Sequence, residues 1–185
     1  MSSPNRGARA VFVDRDGTIN LDVVHCSRVE DFHILRGVPE AIGRLNRAGF
    51  AVVVITNQSA VARGLLSAQE LERLHDHMRA WLGQRGAQVD AVYYCPHSPD
   101  DGCDCRKPKP GLLMRAMQEL GLDPSASYMV GDSEHDVQAG AAVGCKTVLI
   151  TPDGVTPGQA RPDHLASDLL DAVMWLLGDV PTSRD

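Results

Sequence analysis

Two aspartates one residue apart, Asp14 and Asp16, directly follow the hydrophobic segment Val11-Phe12-Val13 and precede Gly17-Thr18. A short apolar segment bounded by a turn signal predicts a buried strand, so Asp14 is expected at its carboxyl end. An aspartate is ionised at neutral pH and can attack an electrophile without the help of a neighbouring base. Asp16 is placed to give and take a proton in the same reaction. In an isolated D-x-D-G, Asp16-Gly17 could equally be a simple turn and Asp14 a helix cap, so the later segments of the chain are needed to distinguish the two interpretations.

Polar residues also follow other strand-like segments. Thr56 ends one of them and Asp132 follows another. Because open α/β sheets bind ligands at the carboxyl ends of their parallel strands, we expect both residues to lie beside Asp14. Carboxylates clustered in this way suit Mg²⁺, and Lys107 adds a cation that can stabilise phosphate oxygens as charge develops. The combination predicts phosphoryl transfer.

Strand-like and helix-like segments alternate along the chain, which predicts an α/β fold: a doubly wound, Rossmann-like parallel sheet with helices on both faces. The predicted strands are Val11–Val13, Ala51–Thr56, Ala91–Tyr94, Ser127–Val130 and Lys146–Ile150. The predicted helices are Pro39–Ala48, one with Ser67 as N-cap and Glu70 completing a capping box, Gly111–Leu120, Glu134–Ala142 and a last one over Leu169–Leu177. Residues from about Asn20 to Arg36 are expected to form a loop or small hairpin over the site.

Length and composition limit the class of protein. With 185 residues, 43% hydrophobic and 23% charged, the chain suits a single soluble domain spanning 1–185, with 1–8 and 179–185 as flexible tails. The net charge of -6 offers no basic surface for nucleic acid or an anionic membrane. The sequence contains no apolar run of roughly 18 residues and no signal peptide. We therefore predict a cytoplasmic monomer that binds a small molecule, with no nucleic-acid or membrane partner.

Three cysteines and one histidine lie close together after the third predicted strand: Cys95, His97, Cys103 and Cys105. Three thiolates and one imidazole match a closed, tetrahedral structural Zn²⁺ site with no open position for catalysis. The alternative is a polar loop with unrelated thiols, which such clustering disfavours. Arg106 and Lys107 follow the last ligand directly, so zinc would order the loop that directs these two cations.

The other histidines suggest no such cluster. His75 and His77 lie two positions apart in the helix that begins after Ser67, and we expect them at its surface or edge rather than as ligands. His135 and His164 have no partner that the sequence can identify.

Four segments together resemble the motifs of the haloacid dehalogenase superfamily, in the same order. They are D-R-D-G-T at 14–18, T-N-Q-S at 56–59, R-K-P-K-P-G at 106–111 and G-D-S-x-x-D at 131–136. The resemblance implies that Asp14 forms an aspartyl-phosphate and that Asp16 is the general acid and base. It further implies that Mg²⁺ is bound by Asp14, the backbone carbonyl of Asp16, and Asp132, and that Thr56 and Lys107 hold the transferring phosphoryl group. Neither insertion point has room for a cap domain, so a capless member is expected.

The C-P-H, C-x-C-R-K-P and T-N-Q-S-A-V-A-R-G segments narrow the resemblance to the bacterial heptose bisphosphate 7-phosphatases. This resemblance implies that a sugar bisphosphate is the substrate and that Arg106 recognises the phosphate that does not react. It also implies a substrate-binding set formed by Asp22, Val23, Val24, His25, Asn57, Gln58, Ser59, Arg106, Lys107 and Ser133.

Two alternatives remain open. Histidinol-phosphate phosphatases share the zinc loop and resemble the chain less closely. A receiver-like signalling domain also has a doubly wound sheet, an acidic metal pocket and a phosphorylated aspartate. Such a domain benefits from a long-lived acyl-phosphate, whereas an acid and base at Asp16 would speed its hydrolysis. Asp16 and the zinc loop therefore argue against the signalling domain.

Overall fold

Parallel strands and helices alternate along the chain in the computed structural model, which describes residues 8–22, 28–155 and 158–178. Within these ranges the strands are β1 (Ala10–Val13), β2 (Ala51–Asn57), β3 (Ala91–Cys95), β4 (Tyr128–Gly131), β5 (Lys146–Ile150) and β6 (His164–Ala166). The helices are α1 (Val38–Arg47), α2 (Ala68–Gly83), α3 (Gly111–Leu120), α4 (Glu134–Ala142) and α5 (Leu169–Leu177). Short 3₁₀ turns occupy Val29–Asp31, Pro99–Asp101 and Pro124–Ala126.

The alternation of side chains along β1 builds two hydrophobic layers, one on each face of the sheet. Val11 and Val13 belong to the layer that contains the buried residues of α1, α2 and α5. Ala10 and Phe12 point to the other face and join the layer of α3 and α4. A strand covered on both faces is apolar at every position, as β1 is. The prediction of a doubly wound parallel sheet is therefore confirmed.

The strand order β3-β2-β1-β4-β5-β6 places β1 in the middle, where the direction of winding changes. Val13 is level with Val54 of β2 and with Val130 of β4. The amide of Asp14 continues the pairing by donating to the carbonyl of Val130 at 2.9 Å. The carboxyl ends of these strands therefore meet at one edge, and ligands bind at such a switch point in open α/β sheets.

Most predicted elements have the expected positions. The capping box at α2 is present, with Glu70 N donating to Ser67 Oγ at 3.2 Å and Ser67 N to the Glu70 carboxylate at 2.8 Å. In the segment expected to form a loop or small hairpin, the described residues contain one antiparallel pairing, with Leu21 N donating to the carbonyl of His33 at 2.9 Å. Strand β6 was not predicted, because three residues are too few to show a periodic pattern. None of the described helices is long and apolar enough to cross a bilayer.

The position predicted for His75 was wrong. Its side chain is fully buried within α2, in line with Leu71 and Met78. Residues spaced three and four apart share one face of a helix, so the helical period places His75 on the inner face. A surface or edge position was expected for His75 because histidine is polar, but its spacing from Leu71 and Met78 indicates the inner face.

Candidate active site

Lys107 joins two carboxylates, those of Asp14 and Asp136, that are far apart in the sequence. Its Nζ donates to Asp14 Oδ1 at 2.7 Å and to the carbonyl oxygen of Ile55 at 2.7 Å, and it lies 2.5 Å from Asp136 Oδ1. The lysine side chain is 3% exposed and that of Asp136 is 1% exposed. Burial opposes the charge of Lys107, but Asp14 and Asp136 together raise its pKa above the usual value. Lys107 is therefore a fixed, buried cation at the end of β1.

The carboxylates around this lysine carry more negative charge than it can balance. Burial raises the pKa of Asp14 to about 7, against the opposing effect of Lys107 and with a further contribution from Asp136. Burial also raises the pKa of Asp132 to about 6, and Asp136 adds to the effect. Asp14, Asp132 and Asp136 can each offer one oxygen within 4.8 Å of the others. This donor set fits a divalent cation with oxygen ligands.

Two glycines allow the carboxylates to come this close to the backbone. Gly17 has a φ of +78°, and a Cβ on it would collide with the carboxylate of Asp132. A Cβ on Gly131 would collide with the carboxylate of Asp136. Glycine is the residue that permits both a positive φ and such an approach. The glycines of D-x-D-G and of G-D-S-x-x-D thus make room for the acidic cluster.

The carboxylate of Asp16 is held by a separate group of donors. Arg15 Nη2 donates to its two oxygens at 2.9 and 2.8 Å. Asn20 Nδ2 donates to Oδ1 at 2.9 Å, and Gln58 Nε2 donates to Oδ2 at 2.7 Å. The side chain of Asp16 is 24% exposed. Two aspartates of one motif therefore have different surroundings, since Asp14 faces a lysine and Asp16 faces a guanidinium and two amides.

A cavity of about 300 Å³ opens onto these groups at the carboxyl edge of the sheet. Its lining residues are Asp14, Asp16, Asp22, Thr56, Asn57, Lys107, Asp132, Ser133, His135 and Asp136. All four residues expected to be catalytic and the three aspartates expected near Mg²⁺ are among them. The structure thus brings together residues that the sequence analysis chose from four separate motifs.

Some residues expected to bind substrate do not line this cavity. Gln58 is buried, and its amide is hydrogen-bonded to Asp16 and to the Thr56 hydroxyl. Ser59 and Arg106 are half-buried, and neither is among the lining residues. Val23, Val24 and His25 lie outside the described residues.

Asp136 and His135 also line the cavity, although the sequence indicated no role for either side chain. Asp136 lies in the first turn of α4 and accepts a hydrogen bond from the amide of Ser133 at 3.1 Å. The pattern Ser133-x-x-Asp136 is a capping box, so the sequence does signal that its carboxylate turns back toward the helix start. The contact between Asp136 and Lys107 has no signal in the sequence.

The four residues expected to bind zinc are grouped between β3 and α3. The Sγ atoms of Cys95, Cys103 and Cys105 lie 3.1 to 3.6 Å apart. His97 Nδ1 lies 3.2 Å from Cys105 Sγ and 3.6 Å from Cys95 Sγ. Zn–S bonds of about 2.3 Å in a tetrahedron place sulfur atoms roughly 3.8 Å apart. The slightly tighter spacing here fits such a metal at the centre of the group.

Asn57 ties the loop with the cysteines to the end of β2. Its Oδ1 accepts from the amide of Lys107 at 3.1 Å, and its Nδ2 donates to the Lys107 carbonyl at 3.0 Å. Arg106 Nη1 donates to the carbonyl of His97 at 3.3 Å. The order of this loop and the position of the catalytic-site lysine are therefore directly connected.

The central parallel strand leads into D-x-D-G-T, a buried lysine contacts the first aspartate of this motif, and a further acidic segment, 131–136, begins at the end of another strand. These features together define the class of haloacid dehalogenase-like hydrolases. A family described as HAD-hydrolase-like matches residues 104–172. The chain is 43% identical over 176 residues to the D-glycero-beta-D-manno-heptose-1,7-bisphosphate 7-phosphatase of Photorhabdus laumondii, covering 90% of this chain and 94% of that protein. It is 41% identical over 181 residues to the protein of the same name from Escherichia coli K12, with 93% and 91% covered.

A solved structure agrees with these relatives. The D,D-heptose 1,7-bisphosphate phosphatase from B. bronchiseptica, complexed with magnesium and phosphate, matches with a TM-score of 0.83 and 35% identity over 94% of this chain and 99% of that one. The chain therefore belongs to the heptose 1,7-bisphosphate 7-phosphatase family of haloacid dehalogenase-like hydrolases, and it is a phosphoric monoester hydrolase.

Proposed function

We propose that this enzyme removes the 7-phosphate of D-glycero-D-manno-heptose 1,7-bisphosphate, as a step in the synthesis of heptose precursors of lipopolysaccharide or another glycoconjugate. The observation that carries the chemistry is the contact between Lys107 and Asp14 at 2.7 Å. It sets a fixed cation beside a carboxylate that can act as nucleophile, where the oxygens of a transferring phosphoryl group need positive charge.

The reaction we propose has two steps. In the first, Asp14 Oδ attacks the phosphorus, the bond from phosphorus to the sugar oxygen breaks, and Asp16 gives its proton to that oxygen. In the second, water attacks the phosphorus of the aspartyl-phosphate while Asp16 takes a proton from it, which frees phosphate and restores Asp14. Lys107 and the Thr56 hydroxyl hold the phosphoryl oxygens in both steps. Dividing the reaction through a covalent intermediate replaces one difficult step by two easier ones.

We propose that Mg²⁺ is held by Asp14, Asp132 and the backbone carbonyl of Asp16. The excess of negative charge around Lys107 and the room that Gly17 leaves for Asp132 support this assignment. When bound, the metal neutralises the carboxylates and the incoming phosphate. Asp136 completes the acidic group and holds Lys107 in place.

We propose a structural Zn²⁺ at Cys95, His97, Cys103 and Cys105. The types of the four ligands and their close spacing support it, because a metal that binds all four side chains can order the segment between them. Its contribution to catalysis is indirect, through the order of the loop that carries Lys107.

We propose that Arg106 binds the phosphate that remains on the product. Arg106 and Lys107 are adjacent cations, and a substrate with two phosphates gives each of them an anion to bind. Arginine suits this role because its planar guanidinium can bind two phosphate oxygens at once. Asp22, Asn57, Ser59 and Ser133 would then face the sugar, with Gln58 acting through Asp16. Val23, Val24 and His25 remain proposed contributors to substrate binding.

A substrate panel tests this proposal. Phosphate release with Mg²⁺ is measured for both anomers of the heptose bisphosphate, fructose 1,6-bisphosphate and histidinol phosphate. We expect the highest kcat/KM for a heptose bisphosphate. A clear preference for histidinol phosphate would replace the proposed substrate, while leaving the phosphatase chemistry in place.

We further propose that the enzyme is capless, monomeric and cytoplasmic. Among the described residues, the segment after β1 contains a short antiparallel pairing and a 3₁₀ turn, and the segment after β3 contains a 3₁₀ turn and the cysteine–histidine group. Neither of these described segments holds a domain that could cover the cavity edge. A sedimentation measurement and fractionation of the producing cells test the other two statements.

A further inference from the structure

Arg15 lies between the two aspartates of its motif in sequence, yet its side chain is almost completely buried, with 1% exposed. One edge of its guanidinium faces Asp16, through Nε at 3.2 Å and Nη2 at 2.8 Å. The other terminal nitrogen, Nη1, reaches His75 Nε2 in α2 at 3.3 Å. The ring of Phe32 lies against the guanidinium, with its centroid 5.6 Å from Cζ. The arginine is thus bound along its plane by Asp16 on one side and His75 on the other.

The chemistry of Arg15 and His75 determines which of the two donates the hydrogen bond and which imidazole nitrogen carries the proton. Arginine has no acceptor, so the Arg15 N–H donates and His75 Nε2 accepts. Burial lowers the pKa of His75 to about 3, and the positive charge of Arg15 contributes to this shift. The imidazole is therefore neutral and carries its proton on Nδ1, which lies 3.9 Å from the Glu72 carboxylate at the surface. A neutral acceptor is what the buried guanidinium requires at this end.

The geometry at Asp16 depends on this arrangement. The guanidinium is a rigid plane, so its contact with His75 fixes the angle at which Nε and Nη2 meet the carboxylate. Without an acceptor at position 75, the buried N–H on Arg15 Nη1 loses its hydrogen bond. Because an unpaired buried donor is unfavourable, the guanidinium is expected to rotate toward another acceptor. The carboxylate of Asp16, which is hydrogen-bonded to this guanidinium, would change its orientation as well. Phe32 restrains the guanidinium from tilting toward one side, but it does not fix the rotation of the guanidinium within its own plane.

We propose that His75 is a positioning residue of the phosphatase reaction, which fixes Arg15 and thereby the orientation of the Asp16 carboxylate. The proposal rests on the acid and base role given to Asp16 above. A purely structural role for His75, as one more residue of the inner face of α2, is the alternative.

The leaving group distinguishes the two roles. A general acid matters greatly when the leaving group is a sugar alkoxide and little when it is p-nitrophenolate, which leaves without a proton. The value of kcat/KM reports steps up to the formation of the aspartyl-phosphate, so it isolates the step in which Asp16 is the acid. General acid catalysis contributes about 10²- to 10⁴-fold, and a displaced acid is expected to lose about tenfold of this.

The experiment compares His75→Leu, which removes the acceptor, with His75→Gln, whose amide oxygen can accept from Arg15. Both are assayed with the heptose bisphosphate, or with the best alkyl phosphate of the substrate panel, and with p-nitrophenyl phosphate. We expect His75→Leu to lower kcat/KM about tenfold more for the alkyl phosphate, and His75→Gln to recover most of that loss. Leu74→Val, in the buried neighbour of His75 on the same helix, is the control for a packing defect and should leave the ratio unchanged.

Equal losses of His75→Leu on both substrates, or a Gln variant no better than Leu, would overturn the proposal. Asp16→Asn separates this failure from that of the mechanism. If Asp16→Asn changes the ratio and His75→Leu does not, the role of His75 is wrong while the acid role stands. If Asp16→Asn also leaves the ratio unchanged, the acid role of Asp16 fails, and the proposal for His75 fails with it.

Discussion

Lys107 Nζ donates to Asp14 Oδ1 at 2.7 Å across 93 positions of sequence. The aspartate directly follows the central strand β1, and the lysine follows Cys105, the last residue of the cysteine–histidine group, by two positions. The side-chain amide of Asn57 forms hydrogen bonds with both the backbone N–H and the backbone carbonyl of Lys107. The cation of the site is thus positioned by the loop that carries the cysteines and histidine, and we propose that zinc orders this loop.

Loss of the lysine is expected to harm stability as well as activity. In Lys107→Met the carboxylates of Asp14 and Asp136 remain buried without a cation, which typically costs about 3–5 kcal/mol. Urea unfolding in buffer free of Mg²⁺ measures this. Lys109→Met is the matched control, because Lys109 is half-exposed and meets only the exposed Asp104 and a backbone carbonyl. A similar midpoint for both variants would contradict the structural role of Lys107.

Replacement of the nucleophile is expected to stop the reaction without unfolding the protein. Asn in place of Asp14 keeps the size of the side chain and an oxygen for Lys107, but it cannot form the aspartyl-phosphate. Phosphate release should fall about a thousandfold or more, while circular dichroism stays unchanged. Turnover near the normal rate would exclude Asp14 as the nucleophile.

Metal analysis of the purified protein should find about one zinc per chain. Replacing Cys103 by Ser should release the zinc and lower activity, because Lys107 then loses its support. Cys145→Ala is the control, since this buried cysteine lies outside the group of four. A zinc-free protein of full activity would show that the loop is ordered without metal.

Removal of Arg106 should be selective for substrates with two phosphates. In Arg106→Ala, kcat/KM for the bisphosphate is expected to fall about tenfold more than for a monophosphate, since a charge-assisted hydrogen bond contributes about 1.5–3 kcal/mol. Arg115→Ala removes the same charge from the surface of α3, where Arg115 pairs with Glu119, and should affect both substrates equally. If Arg106→Ala also lowers kcat/KM equally for the bisphosphate and the monophosphate, the second phosphate binds elsewhere.

Acid should destabilise the protein through His75. Burial lowers the pKa of His75 to about 3 in the folded state, so between this value and the ordinary 6.5 the unfolded chain binds a proton that the folded protein does not. Stability from this residue is complete above pH 6.5 and decreases as the pH falls, by about 2 kcal/mol between pH 6.5 and 5. Unfolding curves at pH 7 and 5 should therefore differ less in His75→Leu. An unchanged difference would mean that His75 titrates alike in both states.

Much of the fold was predictable because its signals are local. The apolar segments of β1, β2 and β5 and the capping box at Ser67 depend on neighbouring residues alone. The three residues of β6 were missed because they become a strand only by pairing with β5. Val38–Arg47 differs by one residue at each end from its prediction, since the last turn of a helix carries little sequence information.

The sequence by itself determined which side chains carry chemistry. Asp14, Asp16 and the group of Cys95 to Cys105 follow from residue type and spacing, since only certain side chains can act as nucleophile, proton donor or metal ligand. The tertiary structure decided which of these groups meet. Asp136 contacts Lys107, and His75 contacts Arg15 across 60 positions, because the fold brings α4 and α2 next to these residues. Burial and contact between distant elements depend on this packing, and no short stretch of sequence contains it.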